Sequence, residues 1–151
     1  MIVLLQRVAK ASCTSDGTPC GSITRGLVLL TCVQRDDTEI DAKKLADKVL
    51  SYRVFSDQND KMNLSVKDID GEILVVPQFT LGADTNSGTR PSFSPVAPPA
   101  LGQQLFDSFV NELKKSHLKI ETGVFGTYMQ VSLVNNGPVT FWLQQPKSSK
   151  E

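Results

Sequence analysis

The chain has 151 residues, 40% hydrophobic and 21% charged, which suits one soluble globular domain with a single core. Sixteen basic residues balance sixteen acidic ones at a pI near 6.6, which excludes the basic surplus of a protein that grips long nucleic-acid duplex. No apolar run approaches the roughly 20 residues of a membrane span, no leader with a basic start opens the chain, and three cysteines without ligand spacing imply neither a disulfide framework nor a zinc site.

In chain order, Ile2-Val3-Leu4-Leu5-Gln6-Arg7-Val8 predicts a buried strand. Residues 11–23 predict a hairpin about Asp16-Gly17, with Cys13 and Cys20 facing each other across the ladder as thiols. Residues 26–33 are a second continuous apolar run, short enough for a core strand. The period then changes. Ile40, Leu45, Val49 and Leu50, with Ala42 and Ala46 between them, predict a helix over 39–54, capped by Thr38 and with Glu39 and Asp41 at its positive end. A polar turn at 57–61 and a solvated loop carrying Asp68 and Asp70 lead into a strand over 72–79. A Gly/Ser/Thr/Pro-rich loop over 82–99 follows, long enough to expect it to be either functional or disordered. Pro98-Pro99 opens a second helix reaching 115, with Leu101, Leu105, Phe106, Phe109, Val110 and Leu113 as its apolar stripe. Strands over 129–134 and 139–143 flank a turn at Asn135-Asn136-Gly137-Pro138, and 146–151 is a polar, flexible tail. Many strands with two helices give an α+β fold: one domain over 1–145, with a curled or barrel-like, mostly antiparallel sheet and both helices on one side.

The one histidine, His117, falls just past the second helix among lysines, where it suits the negative helix end. Serine- and cysteine-based triads therefore lack their base, and no nucleophile elbow, phosphate loop or metal-ligand cluster is present. An enzyme built from this chain works through backbone groups, hydroxyls and substrate positioning. Two segments stand out. Val76-Pro77-Gln78-Phe79-Thr80-Leu81 is a core strand ending in alternating polar and apolar residues, either a site at a strand end or a strand running into a turn. Asn135-Asn136-Gly137-Pro138-Val139-Thr140 has, taken alone, the composition of a tight turn.

These segments and others in the same order resemble the D-aminoacyl-tRNA deacylase family across nearly the whole chain. The resemblance is carried by Leu5-Gln6-Arg7-Val8, Gly21-Ser22-Ile23, Arg25-Gly26-Leu27, Lys44-Leu45-Ala46-Asp47-Lys48-Val49-Leu50 and Lys61-Met62-Asn63-Leu64-Ser65. It continues through Gln78-Phe79-Thr80-Leu81, Gly88-Thr89-Arg90-Pro91-Ser92-Phe93, Glu121-Thr122-Gly123, Phe125-Gly126, Met129-Gln130-Val131 and Gly137-Pro138-Val139-Thr140. It implies a cytoplasmic homodimer that hydrolyses the ester of D-aminoacyl-tRNA or glycyl-tRNA, proofreading chirality without metal, cofactor or membrane. Its Gly-Pro pair, cis in the family and here Gly137-Pro138, reaches into the partner's site and excludes L-residues, with Val139, Thr140, Met129, Thr127 and Pro77 beside the substrate. Backbone donors around Gln78, Phe79 and Thr80 hold the developing oxyanion, the tRNA 2′-hydroxyl assists water, Arg7 anchors the Gly-Pro loop, and Arg90 and Ser92 meet the acceptor end or, for Arg90, tie the loop internally. Pro77 stands where most relatives have serine, Thr127 where they have alanine, and Gly82 where they have a larger residue. Pro77, Gln78 and Gly82 are shared with an animal paralog of relaxed chirality, whereas Phe79 and Val139 are not. The alternatives are that paralog's activity and a nucleic-acid-binding module without turnover.

Overall fold

A computed structural model describes residues 1–146. Strand β1 (Ile2–Ser15) is the spine. Its first half pairs antiparallel with β3 (Gly26–Cys32), its second half with β2 (Thr18–Ile23), and its opposite edge with β8 (Met129–Gln144) along nearly its full length. β6 (Glu72–Pro77) joins β3 in parallel, and β7 (Ile120–Thr122) joins β6 in parallel. The order β2-β1-β3-β6-β7, with β8 on β1, curls until β2 approaches β7: a Cβ on Gly21 would lie 3.1 Å from the Cβ of Glu121. Helices α1 (Glu39–Ser51) and α2 (Pro99–Lys114) pack together on one face, and a small ladder of β4 (Phe55–Ser56) and β5 (Met62–Leu64) frames the 57–61 turn. The α+β, barrel-like expectation holds. β4, β5 and β7 are two or three residues long, too short for a periodic signal.

The apolar strands are continuous because both their faces are buried. In β3, Leu27 and Leu29 face the helices, joining Ala42, Leu45, Ala46, Val49, Leu105, Phe109 and Leu113, while Val28 faces the barrel interior with Val8, Ala11, Cys13 and Ile23. β6 divides the same way, Ile73 and Val75 toward the helices and Leu74 and Val76 inward. In β1, odd-numbered Val3 and Leu5 face the helices but odd-numbered Ala11 and Cys13 face inward. The change falls where the β1–β8 register shifts about Val8, and it lets one strand serve two layers.

Several sequence expectations are corrected. Helix α1 ends at Ser51, and Ile40 is exposed, outside the buried face. Asp16 and Gly17 form the expected turn with φ of 49° and 83°, but a bulge puts Cys13 opposite Gly21 and leaves Cys20 unpaired in the ladder. The cysteines are free, and burial first, then the neighbouring Cys20, pushes the Cys13 thiol up to about 12. The tail expected at 146–151 lies, from 147 on, outside the described residues. Phe109 is fully buried between helix and sheet, so Phe109→Ala is expected to cost about 3–5 kcal/mol, read as a lowered denaturant midpoint with an unchanged slope.

Candidate active site

The strand expected over 72–79 stops at Pro77. The Gln78 N–H donates to the Thr31 carbonyl at 2.7 Å, and the chain then turns into a short 3-10 helix, Phe79–Gly82. The alternation expected for Gln78 through Leu81 is therefore absent. The turn instead presents the first backbone donors of a helix, which have no acceptor one turn back. Among the described residues the N–H groups of Phe79 and Thr80 have no hydrogen-bond partner, whereas Leu81 N–H donates to the Gln78 carbonyl at 3.3 Å. The Gln78 amide donates to the Thr80 hydroxyl.

Cys32, at the end of β3, lies under this turn. Its Sγ donates to the Phe79 carbonyl at 3.5 Å, and burial pushes the thiol up to about 11, so it stays an S–H donor at neutral pH. Gly82 is buried because a Cβ there would lie 2.8 Å from Cys32 Sγ and 3.0 Å from Val96 Cγ2. The small residue lets the turn sit down on the thiol.

Beside the turn is an open hollow of about 330 Å³, bounded by Pro77, Gln78 and Phe79 on one side and Thr127, Tyr128 and Met129 on the other. Gly123 allows the two sides to meet: a Cβ there would lie 2.7 Å from Met129 Sδ and 3.2 Å from Pro77 Cδ. The Thr127 hydroxyl donates to the Val124 carbonyl at 2.9 Å and accepts from Ser15 Oγ at 2.6 Å, so it braces the wall. A larger hollow of about 490 Å³ lies over β1, β2 and β8, lined by Ala11, Ile23, Leu133 and Val134 among others. It contains none of the site residues expected from the sequence, so donor chemistry rather than size marks the candidate site.

Gly137-Pro138 stands elsewhere. β8 is assigned as one strand where the sequence predicts two with a turn between them, because both halves pair with β1 in the same direction. Gln6 pairs with Thr140 and Val8 with Asn135, so residues 136–139 bulge out opposite Arg7 alone. Arg7 Nε donates to the Asn136 carbonyl at 2.9 Å, and Nη1 donates to the Val54 carbonyl at 2.7 Å. On the other flank, Asn135 Oδ1 accepts from Val139 N–H at 3.0 Å and Nδ2 donates to the Thr140 hydroxyl at 2.9 Å. Val139 is buried in the helix-side core, which leaves Gly137 and Pro138 as the exposed crest, with a cis peptide between them. Gly137 has φ of 144°, and a Cβ there would lie 2.6 Å from Val139 Cγ2. None of residues 136–140 lines the hollow beside Phe79 in the same chain.

The 82–98 loop is closed by paired backbone bonds between Asp84 and Ser92, and Phe93 packs on Phe79 with ring centroids 5.1 Å apart. Arg90 is exposed and without an ion pair among the described residues, and the Ser92 hydroxyl donates to Ser94 at 3.3 Å. His117 is exposed with φ of 66° just past α2 and does not line the hollow. Sequence reasoning missed Ser15 and Cys32, and gave Asn135 no role beyond the turn. For Asn135 a signal existed, since an asparagine two residues before Gly-Pro can brace its own turn. Ser15 and Cys32 act through contacts distant in sequence.

The fold and this hollow define an α+β protein that offers backbone donors and hydroxyls to a polar ligand. The chain belongs to the D-Tyr-tRNA(Tyr) deacylase family, whose model matches residues 4–144, and with it to the hydrolases of the D-aminoacyl-tRNA ester. The D-aminoacyl-tRNA deacylase of Cupriavidus metallidurans is 53% identical over 154 residues, covering 99% of both chains, and that of Janthinobacterium sp. (strain Marseille) is 58% identical over 144 residues, covering 95% of this chain and 97% of the relative. A solved "c-Myc DNA Unwinding Element Binding Protein" superposes with a TM-score of 0.91 at 37% identity, covering 97% of this chain and all of its own. The fold is also that of "a probable eukaryotic D-amino acid tRNA deacylase", with a TM-score of 0.81 at 16% identity over 94% of this chain and 97% of that one. Among the described residues no helix is long and apolar enough to cross a membrane.

Gly82→Ala is expected to lift the turn off Cys32 and lower kcat on aminoacyl-tRNA roughly tenfold or more. The double variant Gly82→Ala/Cys32→Ala is expected to recover part of it, because the thiol that collides with the new methyl is gone while the Val96 contact stays and the bond to the Phe79 carbonyl is lost.

Proposed function

We propose that the chain removes D-amino acids, and glycine mischarged on tRNA, by hydrolysing their ester to the terminal adenosine, and that it does so in the cytoplasm. The observation that carries this reading is the free N–H pair of Phe79 and Thr80 in the turn whose first residue, Phe79, lines the hollow. Two fixed donors there stabilise the oxyanion that forms as water attacks the ester carbonyl, a contribution of a few kcal/mol per donor in known cases. An aminoacyl ester is already activated, so donors and placement suffice. The tRNA 2′-hydroxyl assists the water, in keeping with a site whose lining includes no histidine. Gln78 contributes through its side chain, since its own N–H is held by Thr31. Thr80 positions and does not become acylated.

Handedness is read by the Gly137-Pro138 crest. It is exposed, braced on both flanks, and separate from its own hollow, which supports a homodimer in which each crest enters the other protomer's site. A rigid main chain rejects the L-side chain by collision, while a D-residue or glycine passes. Met129, Thr127 and Pro77 shape the wall for the amino acid, and Arg90 and Ser92 meet the acceptor strand. A binding module without turnover is the second reading, favoured by the name of the solved relative that binds a DNA unwinding element. The zero net charge speaks against it.

Incubation with D-tyrosyl-tRNA and L-tyrosyl-tRNA in parallel is the test. Release of D-tyrosine alone is expected; release of both would favour the relaxed paralog's activity, and binding with no release the module. Arg7→Ala is expected to free the crest and cut the D-over-L ratio at least tenfold; an unchanged ratio would remove Arg7 and the crest from chiral selection. Thr80→Ala is expected to keep measurable turnover, and mass spectrometry of the parent protein during turnover is expected to find no acyl adduct.

A further inference from the structure

Tyr128 is the most exposed large side chain of the molecule's apolar and aromatic set, at 73%. It borders two hollows at once: the one beside Phe79, and a groove of about 300 Å³ formed with Thr14, Asp16, Gly17 and Gln130 at the tip of the β1–β2 hairpin. Its backbone is fixed, because its carbonyl accepts from Asp16 N–H at 3.0 Å and the neighbouring Thr127 hydroxyl is held by Ser15 and Val124. Thr14 and Gln130 are cross-strand partners and share one face of the sheet, and Tyr128, just before β8, borders the same groove. Among the described residues the side chains of Thr14, Asp16, Tyr128 and Gln130 make no hydrogen bond to the protein.

We propose that this groove is a second nucleotide subsite, which takes the cytidine preceding the terminal adenosine of the substrate tRNA. The inference rests on the deacylase reading above and extends it by one nucleotide. A single-stranded base stacks on an exposed aromatic ring, and Tyr128 supplies that ring at the mouth of the hollow that receives the aminoacyl end. Cytosine presents an exocyclic amine, which the Asp16 carboxylate accepts. Thr14 and Gln130 offer a hydroxyl and an amide to its remaining edge. With no lysine or arginine among the described residues of its lining, the groove reads the base and leaves the phosphates to solvent.

The test compares D-tyrosyl-tRNA with 2′(3′)-O-D-tyrosyl-adenosine, which lacks this cytidine together with the rest of the tRNA, and it is the change in their ratio on substituting Tyr128 that reports the subsite. In the parent protein kcat/KM is expected to favour the tRNA. In Tyr128→Ala that preference is expected to fall about tenfold, mainly through KM on tRNA, and Tyr128→Phe, which keeps the ring, is expected to retain it. Asp16→Asn is expected to weaken the preference to a lesser degree. An unchanged preference in Tyr128→Ala, or a loss that Tyr128→Phe shares in full, would overturn the subsite while leaving the deacylase reading intact. A parent protein that hydrolyses neither substrate would overturn the deacylase reading, and the subsite with it.

Discussion

The Arg7 guanidinium joins three parts of the chain that the sequence keeps far apart. It projects from β1, caps the Val54 carbonyl just beyond α1 and holds the Asn136 carbonyl in the bulge of β8. Both acceptors are main-chain oxygens, so the contact constrains the path of the backbone and not merely the pose of a side chain. A planar, permanently charged fork suits this task better than a flexible ammonium. Asn135 closes the bulge from the other side, and Val139 roots it in the helix-side core. The Gly137-Pro138 crest is thereby braced on both flanks although it stands in solvent, which is the property that the proposed sorting by shape demands.

The second fixed feature is the turn after β6. It too is held from beneath by contacts with main-chain atoms: Thr31 takes the Gln78 N–H, and Cys32 reaches the Phe79 carbonyl. The pattern is common to both places. Backbone atoms are held by buried or half-buried neighbours, Thr31 and Cys32 at the turn and Arg7 and Asn135 at the bulge. Such an arrangement needs no histidine and no strongly shifted acid at its surface. The shifted thiols, Cys13 and Cys32, are raised by burial, which makes them inert packing and hydrogen-bonding groups rather than nucleophiles.

Pro77 and Thr127 take on specific meaning in this setting. Pro77 ends the β6 ladder and its ring, like the Met129 thioether, closes over Gly123, so it forms wall where a serine would offer a hydroxyl. The Thr127 hydroxyl is turned away to Ser15 and Val124, so the substitution reshapes the wall without leaving a free donor toward the hollow. Gly82 and Cys32 form a matched pair beneath the turn, the smallness of one making room for the sulfur of the other.

The sequence by itself determined the fold class, both long helices, the long apolar strands and the Asp16-Gly17 turn, because each is written in local periodicity or in residues with restricted backbone choices. It also singled out the residues about 77–80 and 137–140. What only the tertiary structure decided is how those two segments are built. The 3-10 turn after Pro77 depends on Thr31 and Cys32 beneath it, and the Gly-Pro bulge depends on pairing with β1 on both sides of Arg7. The short strands, the β1 bend and the Cys20 bulge were hidden for the same reason. The two site segments, the β1 bend and β7 are fixed by partners tens of residues away, and β4, β5 and the Cys20 bulge by pairing across a hairpin; a pattern confined to neighbouring residues carries no trace of either.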